Sequence, residues 1–337
     1  MRQLREWENV TPESFSDEIR PRGEPAILRA VAAHWPVVGA DSSTEVLEQL
    51  AGLAIPGPVE CTIAPPESRG LLHYGEDMRT FTFRKHSAPI GEILSALRAA
   101  IDDPGAPTIA IQSVDLAHHF PRLAASIGLG LVPPDTKPRI WIGNRAKVAT
   151  HNDPLDNIAC VVAGRRRFTL FPPEQIGNLY LGPLHNTPAG TPISMVHLTE
   201  PDLARYPRFA AALDTAMVAE LEPGDAIYIP YQWFHHVEAL DPINVLVNYW
   251  WNDTDAEGQS PWDAMLHAIL AIRHLPGEQR RAWRANFDHY VFLANGNPGG
   301  HLPGFARGLL DSDAPLERAA VRAELIKALT RSAPNDD

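Results

Sequence analysis

Thr150-His151-Asn152-Asp153 sets an imidazole and a carboxylate two residues apart at the end of a strand-like run, Ala146–His151. Residues two apart in a strand share a face, so His151 and Asp153 point the same way and can offer one nitrogen and one oxygen to a single metal ion. The third ligand must come from a distant segment. The best source is Trp233-Phe234-His235-His236-Val237-Glu238, which follows the turn Glu222-Pro223-Gly224-Asp225 and offers two adjacent histidines. Two histidines and a carboxylate on one side of a metal leave the other side open, the arrangement of non-haem iron(II) oxygenases. The same ligand set also suits catalytic zinc. A His-x-Asp pair by itself is common on surfaces, so the spacing alone does not decide the matter.

Arg165-Arg166-Arg167 raises a second question of chemistry. On a strand, Arg166, Phe168 and Leu170 share one face, and Arg165, Arg167 and Thr169 share the other. A guanidinium aimed inward among apolar groups requires an anion, and it grips a carboxylate through two parallel hydrogen bonds. Arg165 and Arg167 fit a solvated charge patch.

The elements that must hold these groups are short. Thirty-two prolines and 23 glycines cut the chain of 337 residues into pieces that suit a β-rich core better than a helical bundle. Residues 1–135 read as a mixed α/β region. Strands are expected at Pro25–Arg29 and Thr108–Val114, and helices at Ser43–Leu53, Ile90–Ile101 and Asp115–Ile127, the last capped by Asp115. Residues 136–252 carry seven strand-like runs separated by Gly and Pro turns, the pattern of a sandwich or barrel. Residues 253–337 turn helical, with apolar stripes at Pro261–Leu275, Pro276–Phe287 and Pro315–Leu329.

Bulk composition narrows the function classes. The net charge of −12 works against binding a phosphate backbone, so a nucleic-acid partner is not expected. Two cysteines, Cys61 and Cys160, form no CxxC pair and exclude a cysteine zinc site or a disulfide framework. No apolar run is long enough to span a bilayer, and the first residues lack a secretory pattern, so no membrane partner and a cytoplasmic location are expected.

Residues 139–251 resemble the cupin-like JmjC-domain family of iron(II)- and 2-oxoglutarate-dependent oxygenases. The resemblance rests on HNDPLDNIACVVAGRRRFTLFPPEQ, EPGDAIYIPYQWFHHVEAL and INVLVNYWW, in that order, with PAILRAVAAHWP resembling the family's N-terminal region. It implies a mainly β fold with flanking helices: a double-stranded β-helix, or jelly roll, with a helical C-terminal region. It implies Fe(II), 2-oxoglutarate and O₂ as cofactor and cosubstrates. His151, Asp153 and His236 match the metal ligands, with His235 as the neighbour facing away. Asn157 and Asn248 match polar positions lining the cosubstrate pocket. Arg166 stands where relatives commonly carry a lysine that pairs with the distal carboxylate of 2-oxoglutarate. No tyrosine stands near Ala110–Ser113, where the family often has one, so Gln112 or Thr150 is expected to supply that hydrogen bond.

The expected activity is hydroxylation of a C–H bond on a protein side chain or another macromolecule. The alternatives are the same chemistry on a small molecule or peptide, with Leu181–Glu200 as a substrate lid, and a non-catalytic metal-binding cupin module. Relatives often dimerise through C-terminal helices, so a homodimer through residues 261–329 is the expected assembly.

Overall fold

The computed structural model describes residues 2–252, 260–311 and 315–330. By internal contacts the chain divides into two compact units, Met1–Asp253 and Thr254–Asp337.

The first unit is built on eight strands: β1 (Pro138–Gly143), β2 (Lys147–Asn152), β3 (Asp156–Ala163), β4 (Arg166–Phe171), β5 (Met217–Leu221), β6 (Ala226–Ile229), β7 (Phe234–Ala239) and β8 (Asn244–Trp251). They form two four-stranded antiparallel arrays, β5-β4-β7-β2 and β6-β3-β8-β1. The chain crosses from one sheet to the other at every connection except β4–β5, which are paired neighbours, and this is the jelly-roll winding. Between the sheets lies an apolar core that includes Ala159, Val161, Phe168, Leu170, Ala219, Leu221, Ile227 and Ile229. These residues recur every second position along their strands, as a face buried between two sheets requires.

The link from β3 to β4 turns at Gly164, whose φ is +68°. A Cβ there would run into the carbonyl oxygen of Ile243, so the reversal that carries the chain from β3 to β4, and Arg166 into the first sheet, needs glycine.

Residues before 136 extend the barrel. Arg5–Trp7 and Ala26–Leu28 continue the second sheet beyond β6, and Thr108–Asp115, Pro58–Ala64 and Arg84–Pro89 continue it beyond β1, giving nine strands in all. Helices Ser43–Leu53 and Ile90–Ala99 bury Val46, Leu47, Leu50, Ile90, Ile93, Leu94 and Leu97 in the large core that also takes in Ile140, Ile158, Val162 and Val247 of this sheet. Ser42 caps the first of these helices by accepting from the Glu45 N–H (3.2 Å). The expected helix 115–127 is two helices, Leu116–His119 and Pro121–Ser126, because Pro121 has no N–H to continue the first. Asp115 does cap the first, its Oδ1 accepting from the His118 N–H (3.1 Å).

The second unit holds helices Pro261–Ile272, Gly277–Tyr290 and Pro315–Thr330. No described helix is long and apolar enough to cross a membrane.

Candidate metal centre

The β2–β7 register decides the geometry. His235 lies directly opposite His151, and Phe234 opposite Asn152. The two imidazole centroids are 4.4 Å apart. Asp153, just past the end of β2, brings Oδ2 to 3.6 Å from His235 Nε2. One ligand atom from each of His151, Asp153 and His235 lies within 4.8 Å of the others, the one such three-residue cluster of metal-ligating side chains among the described residues.

The expectation that His236 completes this set is corrected. Neighbours on a strand face opposite sides, and on β7 it is His235 and Val237 that line the cavity. His236 shares the other face with Glu238, its Nε2 3.4 Å from Glu238 Oε1. Arg167, on that same outer face, pairs with Glu220 (2.6 Å) and Glu238 (3.4 Å). Proximity of His236 is the first reason the Glu238 carboxyl is held below its ordinary pKa. The sequence carried a signal for this: His236 is followed at the next same-face position by Glu238, whereas His235 is followed by Val237 and Ala239.

Both inner histidines are set up as ligands. Each turns Nδ1 onto a carbonyl oxygen two residues earlier in the chain: His151 onto Ala149 (2.9 Å) and His235 onto Trp233 (3.1 Å). With Nδ1–H donating, the Nε2 lone pair is free. Burial first, then the nearby His151, keeps the His235 pKa below its ordinary value, so the ring is neutral at pH 7. Asp153 Oδ2 is buried with no hydrogen-bond partner. A buried carboxylate oxygen left unpaired is costly, and a divalent cation would satisfy it.

The strands also hold each other in place. Gln232, in the turn before β7, adopts a left-handed φ of 65°. Its N–H donates to the Asp153 carbonyl oxygen (3.1 Å), and its Oε1 accepts from Asn152 Nδ2. A non-glycine residue held at positive φ is a local strain the surroundings must sustain. Sequence reasoning missed Gln232 because a polar residue in a turn carries no chemical signature.

The cavity extends away from the metal centre over about 290 Å³. Val148, Ala159, Phe168, Val237 and Leu246 form its apolar wall, and Asn157, Asn248, Gln112 and Arg166 also line it. Val148 and His151 both reach it, although they are three residues apart. A β-bulge explains this: Ala149 and Thr150 together oppose His236 alone, which resets the alternation. Thr150 does not line the cavity, which corrects its expected role. As the strand neighbour of His151 it faces the other way, with Oγ1 buried and unpartnered. Gln112 Oε1 accepts from Thr62 Oγ1 (2.9 Å). Pro188, Ala189 and Gly190 of the 181–200 segment border the cavity as well.

Arg166 sits at the far end. On β4 it pairs with Ala239, while Leu170 pairs with His235. Arg166 lines the cavity, Nε has no hydrogen-bond partner, and no carboxylate reaches the guanidinium among the described residues. Burial lowers its pKa to about 10, still leaving a cation at neutral pH. Its neighbours are neutralised from outside, Arg165 by Asp241 (3.0 Å) and Arg167 by Glu220. The cavity thus has a cation-ready triad at one end and a guanidinium with no carboxylate partner at the other, while Lys85, which also lines it, is paired with Glu60 (2.7 Å).

Residues 12–257, nearly three quarters of the chain, match the family model described as a cupin-like domain. The chain belongs to the cupin-like domain family. Among curated proteins, this cupin-like chain is 27% identical over 275 residues to tRNA wybutosine-synthesizing protein 5 of Danio rerio, covering 76% of this chain and 77% of that one. It is 26% identical over 269 residues to the bifunctional peptidase and (3S)-lysyl hydroxylase of Homo sapiens, covering 71% and 80%. Over a shorter stretch of 112 residues it is 38% identical to a lysine-specific demethylase of Arabidopsis thaliana, where the match spans 33% of this chain and 20% of that protein. The residues that converge on the metal centre and on Arg166 all lie inside the family match.

Proposed function

We propose that this protein is an iron(II)- and 2-oxoglutarate-dependent dioxygenase that hydroxylates a C–H bond of a protein side chain or another macromolecule. The observation that carries this reading is the pairing, in one cavity, of the His151–Asp153–His235 triad with the unpartnered Arg166. Four residues of strand separate the level of His235 from that of Arg166, about 13 Å at roughly 3.3 Å per residue. A five-carbon dicarboxylate bound at the metal, together with the reach of an arginine side chain, fits that span. Hydrolytic zinc chemistry would leave the buried guanidinium without a task.

The residues present fit both groups. His151 and His235 would offer Nε2, Asp153 its unpartnered oxygen, and Arg166 a two-pronged contact to a distal carboxylate. When bound, iron(II) with 2-oxoglutarate and O₂ supplies the oxidising chemistry for C–H hydroxylation. The protein's part is positioning. Asp153 lowers the net charge of the site, and Nδ1 contacts to main-chain oxygens hold both imidazole planes. The apolar wall from Val148 to Leu246 keeps water from the reacting end. Pro188, Ala189 and Gly190, which line the cavity, would contact a substrate bound there.

A macromolecular substrate is supported by the relatives, whose names refer to lysyl residues and to tRNA. Net charge −12 favours protein over RNA. A homodimer is supported by the exposed apolar residues Trp262, Met265 and Trp283 on the two helices within 261–290.

The deciding experiment is anaerobic reconstitution with iron(II) and 2-oxoglutarate, followed by admission of air and measurement of succinate. Turnover lost in His151→Ala, Asp153→Ala and His235→Ala supports the reading. Tight zinc with no response to iron, or no metal uptake at all, overturns it.

A further inference from the structure

Three side chains on neighbouring strands form a polar relay along the cavity wall. Trp141 Nε1–H of β1 donates to Asn248 Oδ1 of β8 (2.8 Å). Asn248 Nδ2–H donates to Asn157 Oδ1 of β3 (3.1 Å). All three residues line the cavity, and the register places their strands side by side, β3 next to β8 and β8 next to β1.

The direction of the relay is forced by chemistry. An amide side chain presents a donor on one side and an acceptor on the other, and left alone it can turn either way. An indole N–H only donates. Trp141 therefore fixes Asn248 with its oxygen toward the indole, and Asn248 then meets Asn157 as a donor. Asn157 can accept only through Oδ1, which leaves its own Nδ2 hydrogens free. Asn157 Nδ2 has no hydrogen-bond partner among the described residues. Asn157 and Asn248 are 5% and 1% exposed, so water does not readily reset them. Trp141 is itself held edge-on by Trp250, ring centroids 5.9 Å apart at 83°.

We infer that Trp141 is a positioning residue that, through Asn248, turns the Asn157 amide so that the cavity presents an N–H donor to an anionic ligand. This deepens the proposed function and rests on it: the ligand is the 2-oxo dicarboxylate bound between the metal triad and Arg166. Asn157 is the second residue of β3 and lies four residues after Asp153, so its donor serves the metal end of the ligand, while Arg166 serves the other. With the indole removed, both asparagines are free to flip, and the Asn157 acceptor then faces a carboxylate.

The test is calorimetric titration of 2-oxoglutarate into full-length protein loaded with manganese(II) under anaerobic conditions, a readout independent of turnover. Trp141→Phe keeps an aromatic side chain, smaller than the indole, and loses the N–H. It is expected to weaken 2-oxoglutarate binding about tenfold, leaving manganese affinity and melting temperature unchanged. Asn157→Ala is expected to weaken binding comparably. The double variant Trp141→Phe/Asn157→Ala is expected to be no worse than Asn157→Ala alone, because the indole acts only through that amide. Should Trp141→Phe yield little folded protein, Asn248→Ala breaks the same relay and enters the same cycle. Unchanged affinity in the single variant, or losses that multiply in the double variant, overturns the inference while leaving the oxygenase reading intact. Wild-type protein that takes up manganese but no 2-oxoglutarate overturns the oxygenase reading, and the inference falls with it.

Discussion

His151 and His235 stand directly opposite each other on antiparallel strands, and each anchors Nδ1 to a carbonyl oxygen two residues earlier, Ala149 in one case and Trp233 in the other. The pairing makes the metal centre nearly symmetrical about the β2–β7 ladder, with Asp153 added at its end. Residue 236, one step along the chain, sits on the outer face beside Glu238.

That difference between adjacent histidines is directly measurable. His235→Ala is expected to reduce iron(II) or manganese(II) affinity more than 100-fold, since a two-ligand site holds such ions poorly. His236→Gln is expected to change affinity less than about threefold, within the range for a group outside the metal's surroundings. Titration of both variants checks this, and a loss in His236→Gln equal to that in His235→Ala would contradict the geometry.

Arg166 reads the length and charge of the ligand. Arg166→Ala is expected to weaken 2-oxoglutarate by roughly 100-fold, the loss of a two-pronged charge-assisted contact worth about 3 kcal/mol. Binding of 2-oxopentanoate, which lacks the distal carboxylate, should barely change. Equal losses for both ligands would place the anion elsewhere.

His73 gives the fold an acid-sensitive point outside the ligand triad. It is buried, its Nε2 lies 3.1 Å from the Ser194 carbonyl oxygen, and its ring packs edge-on against His197 at 4.8 Å. Burial is the leading cause that lowers the pKa of both rings. The unfolded chain therefore takes up protons at a higher pH than the folded one. Stability is fully present above the ordinary histidine pKa of about 6.5 and is lost as pH falls through the lower folded values. The melting temperature of wild type should drop from pH 7.5 to pH 5, and His73→Phe should drop less. A steeper fall in that variant would contradict the sign.

The helices in 261–290 leave apolar side chains in solvent, Trp262 at 36%, Met265 at 40% and Trp283 at 48% exposure. Light scattering is expected to give twice the chain mass, and Met265→Glu to shift the population toward the single chain. A monomeric wild type at micromolar concentration would remove the dimer.

Much of the barrel was legible in the sequence. The strands at 138–143, 147–152, 156–163, 166–171, 226–229, 234–239 and 244–251 fall within a residue of the apolar runs bounded by Gly and Pro. Arg84–Pro89 was not legible, because five of its six residues are exposed and its strand form comes only from pairing with Pro58–Ala64. Met217–Leu221 was also missed; its place is fixed by β4 rather than by a turn signal. Sheet hydrogen bonds between distant segments, not local propensity, make these two strands.

By itself the sequence determined which residue types could meet: a histidine and an aspartate two apart, a pair of adjacent histidines far downstream, and an arginine on an otherwise apolar strand face. Period-two alternation told that His235 and His236 must part company, and the apolar Val237 and Ala239 after His235 pointed to it as the inner one without fixing its partner. The register decided it. Setting His235 against His151 on one side and against Leu170 on the other puts it on the face of Phe168 and Arg166, and the bulge at Ala149–Thr150 turns Val148 inward and Thr150 outward. A one-residue slip of β7 would have exchanged the two histidines, so the choice is made by packing between strands that the chain itself keeps far apart.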